Sequence, residues 1–269
     1  MDQEGVRVCF TFDVDGLSLL SAKRRVGIRI PMEMEAPLRD DQGHFFDLAL
    51  AFLNSAGLRQ TLFVTGKVAE DEPERIEAAL QAGHEIGFHG YSHLPLASLS
   101  AEEELAEFLR TQRYFHDRFG YQLKGMRAPS YSFGPRTPGN MRQTGMTYDS
   151  SQAGCHPFFE ADGGYWEIPV LPEMDDWMHC IRFPELGFND TPKDPKEVAR
   201  IYRDCFDYCY REGGCFVTVW HPFVTMSERY RPVATELLAY IRSHARVTFC
   251  TMSEIAGACA AGRITQGRI

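Results

Sequence analysis

The 269-residue sequence contains no CxxC pair, no block of lysines and arginines, no window of eighteen uninterrupted apolar residues, and no internal repeat, low-complexity tract or linker. Each absence removes a class of protein. Without CxxC pairs, the eight cysteines (Cys9, Cys155, Cys180, Cys205, Cys209, Cys215, Cys250 and Cys259) build neither a zinc ribbon nor a redox motif, and a chain this long needs no disulfide staples. They read as reduced core or interface residues; Cys205 and Cys209, one helical turn apart, lack a partner pair to complete a metal site. A net charge of −9 without a basic block argues against nucleic acid and anionic membrane surfaces as partners. The missing apolar run argues against a spanning helix, and the opening MDQEGVRVC has no basic segment followed by an apolar one, so a cytoplasmic protein is expected. With no linker, residues 1–269 are expected to form one domain, and 44% hydrophobic content is ample for its core.

What is present is alternation. Short apolar or β-branched runs at residues 7–12, 61–65, 85–88, 123–126, 167–170, 216–220 and 247–250 are separated by longer amphipathic stretches. Three of those stretches have readable ends. Ser100 with Glu103 forms a capping box and Gly120 closes the helix; Asp194-Pro195 opens a second that runs to about Glu212 before Gly213-Gly214; a third covers roughly residues 228–243. Such alternation predicts an α/β fold of about seven parallel strands, closed as a distorted (β/α) barrel. Residues 17–43, with RRVGIRIPMEMEAP in their middle, are long for a strand-to-helix connection and read as a lid or an oligomer contact.

In a parallel βα array the functional rim lies at the carboxyl ends of the strands. Asp13 and Asp15 follow the run ending at Phe12, His89 follows Phe88, Arg127 follows Met126, and His221 follows Trp220. Five chemically capable residues from four strands thus share one rim. In FHGYSH, the spacing of His89 and His93 lets two imidazoles reach one ion; with an aspartate from the same rim they make the open three-ligand set of a catalytic divalent metal. Asp13 and Asp15, at i and i+2, point the same way in extended chain, and close carboxylates raise each other's pKa unless cations intervene. A metal on Asp15 and an ion pair from Arg127 to Asp13 resolve that conflict and leave Asp13 as general base. Arg127 opens RAPSYS, where Pro129 fixes the backbone and Ser130 and Tyr131 are placed to line a groove. His221, off the metal, suits protonation of a leaving amine. Each residue alone has an inert explanation, a solvated loop or a core histidine; their convergence favours chemistry.

The ordered set FTFDVDG, TLFVTG (61–66), HEIGFHGYSH (84–93), RAPSYS (127–132), GMTYDSS (145–151), EIPV (167–170) and WHP (220–222) resembles the polysaccharide deacetylase family, carbohydrate esterase family 4, over roughly residues 6–257. The resemblance implies a TIM-like barrel and metal-dependent hydrolysis of non-peptide C–N bonds, typically removal of acetyl from N-acetylglucosamine units. It implies zinc, or in some members cobalt or nickel, on Asp15, His89 and His93, with Asp13 as base, Arg127 tuning it, His221 as acid, and a backbone N–H near Ser130 or Tyr131 holding the oxyanion. The spacing DVD, where the commonest first motif has adjacent aspartates, resembles the branch of peptidoglycan deacetylases, allantoinase-like enzymes and cyclic imide hydrolases. That branch implies a homo-oligomer, and in its allantoinase-like members the need for metal is itself open. LPEMDDW offers Asp175 and Asp176 as alternative partners of His221, beside Trp177 as a substrate contact.

Three functions compete. Deacetylation of an N-acetylated amino sugar or oligosaccharide comes first, hydrolysis of a small cytoplasmic cyclic amide or imide second, and an inactive ligand-binding member third, since every matched catalytic position holds a competent residue. The first two differ in the roof of the site. The 17–43 insertion and Phe45, Phe46, Phe158, Phe159 and Trp177 are available to enclose a small ring, whereas an open groove admits a polymer; the same aromatics otherwise read as core.

Overall fold

The structure, a computed structural model, describes residues 5–263, with Glu33 and Met34 by backbone alone; the first four residues of the stretch read for a leader, and the last six of the expected domain, lie outside the described residues. In chain order the elements are β1 (Val6–Cys9), β2 (Phe12–Val14), α1 (Gly16–Arg25), α2 (Met32–Asp40), α3 (Phe46–Ser55), β3 (Thr61–Val64), α4 (Gly66–Asp71), α5 (Pro73–Gln81), β4 (Glu85–Phe88), α6 (Ala101–Phe119), β5 (Gly125–Met126) and α7 (Thr137–Gln143). There follow β6 (Tyr148–Asp149), β7 (Phe158–Glu160), β8 (Tyr165–Glu167), α8 (Trp177–Cys180), α9 (Pro195–Glu212), β9 (Cys215–Val217), α10 (Pro222–Thr225), α11 (Arg231–Arg242), β10 (Val247–Phe249) and α12 (Met252–Ala260). Among the described residues no helix is long and apolar enough to cross a membrane.

Strands β2-β3-β4-β5-β6-β8 pair in that order, all parallel, and β7 adds an antiparallel partner to β8; β10-β1-β9 form a second parallel set. The two sets meet because β1 and β2 are halves of one strand. β1 lies between β10 and β9, whereas β2 lies between β3 and the chain just past β9, through the bridge of Phe12 to Trp220. The other edge closes where Ala153 bridges Val170 and Cys215 N–H donates to Cys155 O at 2.7 Å. The result is the expected α/β barrel, irregular in outline. Its extra parallel strand is β6, too short to show a periodicity in sequence.

The expected strand at 123–126 narrows to β5 and that at 216–220 to β9, and two others change more. The 7–12 run breaks at Phe10 and Thr11, whose N–H groups are taken by Gln60 Oε1 (2.5 Å) and Thr218 Oγ1 (2.9 Å), side chains standing in for a neighbouring strand. It resumes as β2 and reaches Val14, so Asp13 lies inside a strand rather than after one. The 167–170 run begins earlier, at Tyr165, and continues past Glu167 as isolated pairing.

Packing explains the rest. TLFV of β3 and EIGF of β4 are buried at every position, as parallel strands covered on both faces must be. Phe10, tilted, and Phe12, edge-on, pack against Trp220 with centroids 4.9 and 5.6 Å away, and each such ring adds roughly 1.5–3 kcal/mol by burial. Gly125 in β5 is required because the Tyr148 ring occupies the space of a Cβ, 2.3 Å from its ideal position. The helix ends match their chemistry: α6 carries the Ser100/Glu103 box and stops at Gly120 (φ 61°), and α9 is capped by Asp194 and stops at Gly213 (φ 75°). The third helix, α11, starts at Arg231 rather than near 228, with Pro232 in its first turn. The 17–43 insertion is mostly helical. Asp41, fully buried, pins it by accepting from Gly16 N–H (2.9 Å) and Phe223 N–H (3.0 Å), at the starts of α1 and α10.

Candidate active site

Asp15, His89 and His93 converge at the carboxyl ends of β2 and β4. Asp15 Oδ1 lies 3.3 Å from His89 Nε2, and Asp15 Oδ2 lies 3.2 Å from His93 Nε2. All three residues are buried, and their ligand atoms lie within 4.8 Å of one another. Burial pushes the Asp15 carboxyl up, but His93, His89 and His221 around it outweigh this and hold it well below the usual carboxylate range. His89 Nδ1 donates to Arg127 O (2.8 Å), which fixes the tautomer that leaves Nε2 free. A carboxylate oxygen buried without a hydrogen-bond partner, facing two imidazole nitrogens, fits a divalent cation. The loop between the histidines is held by strain and by Glu107. Gly90 (φ 74°) and His93 (φ 58°) turn left-handed, and Glu107 of α6 accepts from Tyr91 N–H (2.7 Å), Ser92 N–H (2.9 Å) and Ser92 Oγ (2.7 Å).

Asp13 faces the same space from two residues back. Its Oδ1 takes a 2.6 Å ion pair from Arg127 Nη1, while its Oδ2 lies 3.8 Å from His89 Nε2. Arg127 has no exposed surface and is held on every side: Thr11 Oγ1 (2.8 Å), Ser150 O (3.0 Å), Ser150 Oγ (3.1 Å) and the Phe63 ring 4.4 Å below its guanidinium. The strap carrying Ser150 is fixed from beneath by two further acids. Asp149 and Glu167 are neighbours across β6 and β8; Asp149 accepts from Ser151 Oγ (2.7 Å), and Glu167 accepts from Ser151 N–H (3.2 Å) and Gln152 N–H (3.0 Å). Burial raises both, and the charge of Asp149 lifts Glu167 further, so the pair favours holding a proton between its two carboxyls.

His221 closes the opposite side. Of its two possible partners, Asp176 is the one bonded to it: Oδ1 takes His221 Nδ1 (2.7 Å), and Oδ2 takes His221 N–H (2.8 Å) and Thr225 Oγ (2.7 Å). Burial lowers the His221 pKa, but Asp176, then Asp15 and Asp175, raise it well above the ordinary imidazole value. Its Nε2 points to Asp15 Oδ2, 3.8 Å away. Asp175 instead accepts from Tyr131 Oη (2.8 Å) and Trp177 N–H (2.9 Å), and burial pushes it up to about 6. Ser130 and Tyr131 both adopt positive φ (52° and 55°), a strained turn of the kind found where a site fixes its backbone. Tyr131 N–H is bonded to Ala128 O (2.9 Å), so of the two suggested oxyanion donors only Ser130 N–H remains.

These residues line a cavity of about 310 Å3, walled also by Leu19, Lys23, Trp177, Leu186 and Phe188. Of the aromatics suggested as a roof, only Trp177 reaches it. Phe46 is core, Phe45 packs against the core, and Phe159 is 45% exposed on the β7–β8 hairpin with Phe158 beside it. Leu19 and Lys23 come from the insertion, so α1 supplies part of the roof. Lys23, Asp41, Glu107, Asp149, Ser150, Ser151 and Glu167 were not singled out in sequence; YDSS and EIPV marked where the last four sit, but no spacing rule assigns them chemistry.

A barrel whose rim joins an Asp/His cluster able to hold a divalent metal to a buried Asp–Arg pair and a buried His–Asp pair defines a metal-dependent amide hydrolase. The polysaccharide deacetylase family model matches residues 39–148, which include His89, His93 and Arg127 but not Asp13, Asp15 or His221. A peptidoglycan deacetylase of Helicobacter pylori is 26% identical over 228 residues, covering 74% of this chain and 78% of that protein. A Mycobacterium smegmatis protein provisionally described as a polysaccharide deacetylase superposes with a TM-score of 0.88 at 26% identity, over 100% of this chain and 94% of that one. Puue allantoinase shares the fold with a TM-score of 0.82 at 18% identity, over 98% and 93% of the two chains. Over residues 39–148 the chain is similar to the polysaccharide deacetylase family, and over most of its length to a peptidoglycan deacetylase.

Proposed function

We propose that the protein is a deacetylase of N-acetylated amino sugars, with Asp13 as general base, His221 as general acid, and Asp15, His89 and His93 holding zinc. The observation that carries this reading is the pairing of each proton-transfer residue with its own buried partner across one small cavity: Asp13 with Arg127 at 2.6 Å, and His221 with Asp176 at 2.7 Å. Two imidazoles and a carboxylate suit zinc, with cobalt and nickel as workable substitutes. When bound, such an ion polarises the acyl carbonyl and acidifies a water. Arg127, ion-paired to Asp13 at 2.6 Å, orients it to take a proton from the attacking water, Ser130 N–H would steady the carbonyl oxygen, and His221 delivers its Nε2 proton to the departing nitrogen. Asp176 holds His221 protonated until then.

Metal content by elemental analysis before and after chelation, with acetate release from N-acetylglucosamine oligomers, tests the reading. Chelation is expected to abolish release and added zinc to restore it; a metal-free protein that still releases acetate sinks the metal assignment, and one inert with zinc sinks the deacetylase.

A second reading, a cyclic amide or imide hydrolase on the same residues, is favoured by the cavity itself. Its volume sits near the bottom of the roughly 300–1,000 Å3 range of small-molecule sites, and α1 roofs it. A single ring fits better than a polymer. We also read the chain as one domain in a reducing, cytoplasmic setting, which its eight free, buried cysteines suit, and as a homo-oligomer with Val26 (54% exposed) and Met32 (85%) of the insertion as contact residues.

A further inference from the structure

The insertion contributes a charge as well as a wall. Lys23 stands in the last turn of α1 and faces the cavity beside Asp15 and His93. The residues that follow it turn away to the surface, where Arg24 pairs with Glu35 (3.1 Å) and Arg25 with Glu103 (2.9 Å). Among the described residues the Lys23 ammonium makes no hydrogen bond or ion pair; burial lowers its pKa, and the charge of Asp15 partly restores it. The cavity's own carboxylates are engaged elsewhere: Asp13 with Arg127, Asp15 with the two histidines, Asp175 with Tyr131 and Trp177 N–H. Leu19, Leu186, Phe188 and Trp177 make the remaining wall largely apolar.

A half-buried ammonium without a direct partner is unfavourable, and a ligand that brings an anion relieves it. We propose that Lys23 is a specificity determinant that binds a carboxylate on the substrate, so that the molecule cleaved is an acylated amine or cyclic amide carrying one negative charge on the side of the cavity where Asp15 and His93 lie. The proposal rests on the amide-hydrolase reading of the site and names the substrate class within it. One ammonium balances one charge. A dianionic phosphate would bring a second charge that this single ammonium does not match, so the acid is a monoanion.

The test is calorimetric binding of two matched pairs to the full-length, zinc-loaded protein: N-acetylglucosamine against N-acetylmuramic acid, which adds a lactyl carboxylate, and hydantoin against hydantoin-5-acetic acid. In at least one pair the acid is expected to bind about tenfold or more tightly than its neutral partner, the scale of one charge-assisted hydrogen bond. Lys23→Met should bring that ratio to about one, Lys23→Glu should invert it, and Lys23→Arg should keep it. A wild-type ratio near one in both pairs, failure of both acids to bind, or a ratio that survives Lys23→Met overturns the assignment. Acetate release and ring opening are followed separately on the neutral compounds. If neither occurs the amide-hydrolase reading falls, while the binding ratio still decides the role of Lys23.

Discussion

At the scale of single residues, the two aspartates of FTFDVDG have unlike surroundings although only Val14 separates them. Asp13 is tied to a guanidinium at 2.6 Å, and Asp15 faces two imidazoles at 3.2 and 3.3 Å. Their loss should therefore be distinguishable. Asp13→Asn is expected to keep stoichiometric zinc and lose about 10²-fold or more in kcat, the scale of a general base, whereas His89→Ala should lose the metal; elemental analysis beside steady-state kinetics separates the two, and an active Asp13→Asn would move the base elsewhere. Asp176 makes a third case, because it acts only through His221. In its proposed role as general acid His221 must be protonated, and against its own burial Asp176 chiefly raises its pKa. Asp176→Asn should move the alkaline limb of the kcat profile to lower pH as well as lower its plateau. An unchanged limb with a reduced plateau would make Asp176 a packing residue only.

At the scale of elements, the carriers of the site were legible wherever a strand ended in a polar residue. Phe88 before His89 and Met126 before Arg127 mark strand ends that local apolarity makes visible, and Trp220 before His221 marks the isolated bridge just past β9. The break at Phe10 and Thr11 was not, because Gln60 and Thr218 that satisfy it are 50 and 207 residues away in sequence. Nor was β6, which is two residues long, or the service of Glu107 to the His89–His93 loop, since α6 is rich in exposed acids and only its packing tells them apart. The strap at residues 150–152 shows what such hidden contacts do. Glu167 takes two of its N–H groups, and the strap in turn holds Arg127. Glu167→Gln imitates the protonated acid and should keep both melting temperature and kcat/KM near wild type. Glu167→Ala strands the buried Ser151 N–H, at about 1–3 kcal/mol, and frees that of exposed Gln152, and should lower both together. Equal damage from the two variants would show that Glu167 works as an ionised group.

At the scale of the whole molecule, the same charges that prepare the site oppose its stability without a cation, and pH exposes the conflict. Asp41 pins the insertion to the barrel while burial, and then the charge of Asp15, push its carboxyl up to about 7. A carboxyl whose folded pKa exceeds its unfolded value binds its proton more tightly in the native chain. Its contribution is present below the unfolded value of about 4 and is lost as pH rises toward 7. His221, also raised, adds stability that is complete below its unfolded pKa of about 6.5 and is lost only at higher pH still. Asp15, held low by its imidazoles, runs the other way, and its contribution disappears only in strong acid. The chelated protein should thus melt at lower temperature at pH 8 than at pH 5, Asp175 and the Asp149–Glu167 pair acting in the same sense, and Asp41→Asn should reduce the lower half of that slope while leaving the upper half. Zinc in hundredfold excess over its dissociation constant should raise stability by about 2.7 kcal/mol, and by opposing the charge of Asp15 it should also shrink the part of the slope owed to Asp41. Thermal melts of both proteins across that range, with and without zinc, check each step; a melting temperature that rises with pH in the chelated protein would mean that Asp41 and His221 are not buried against charge as the structure has them.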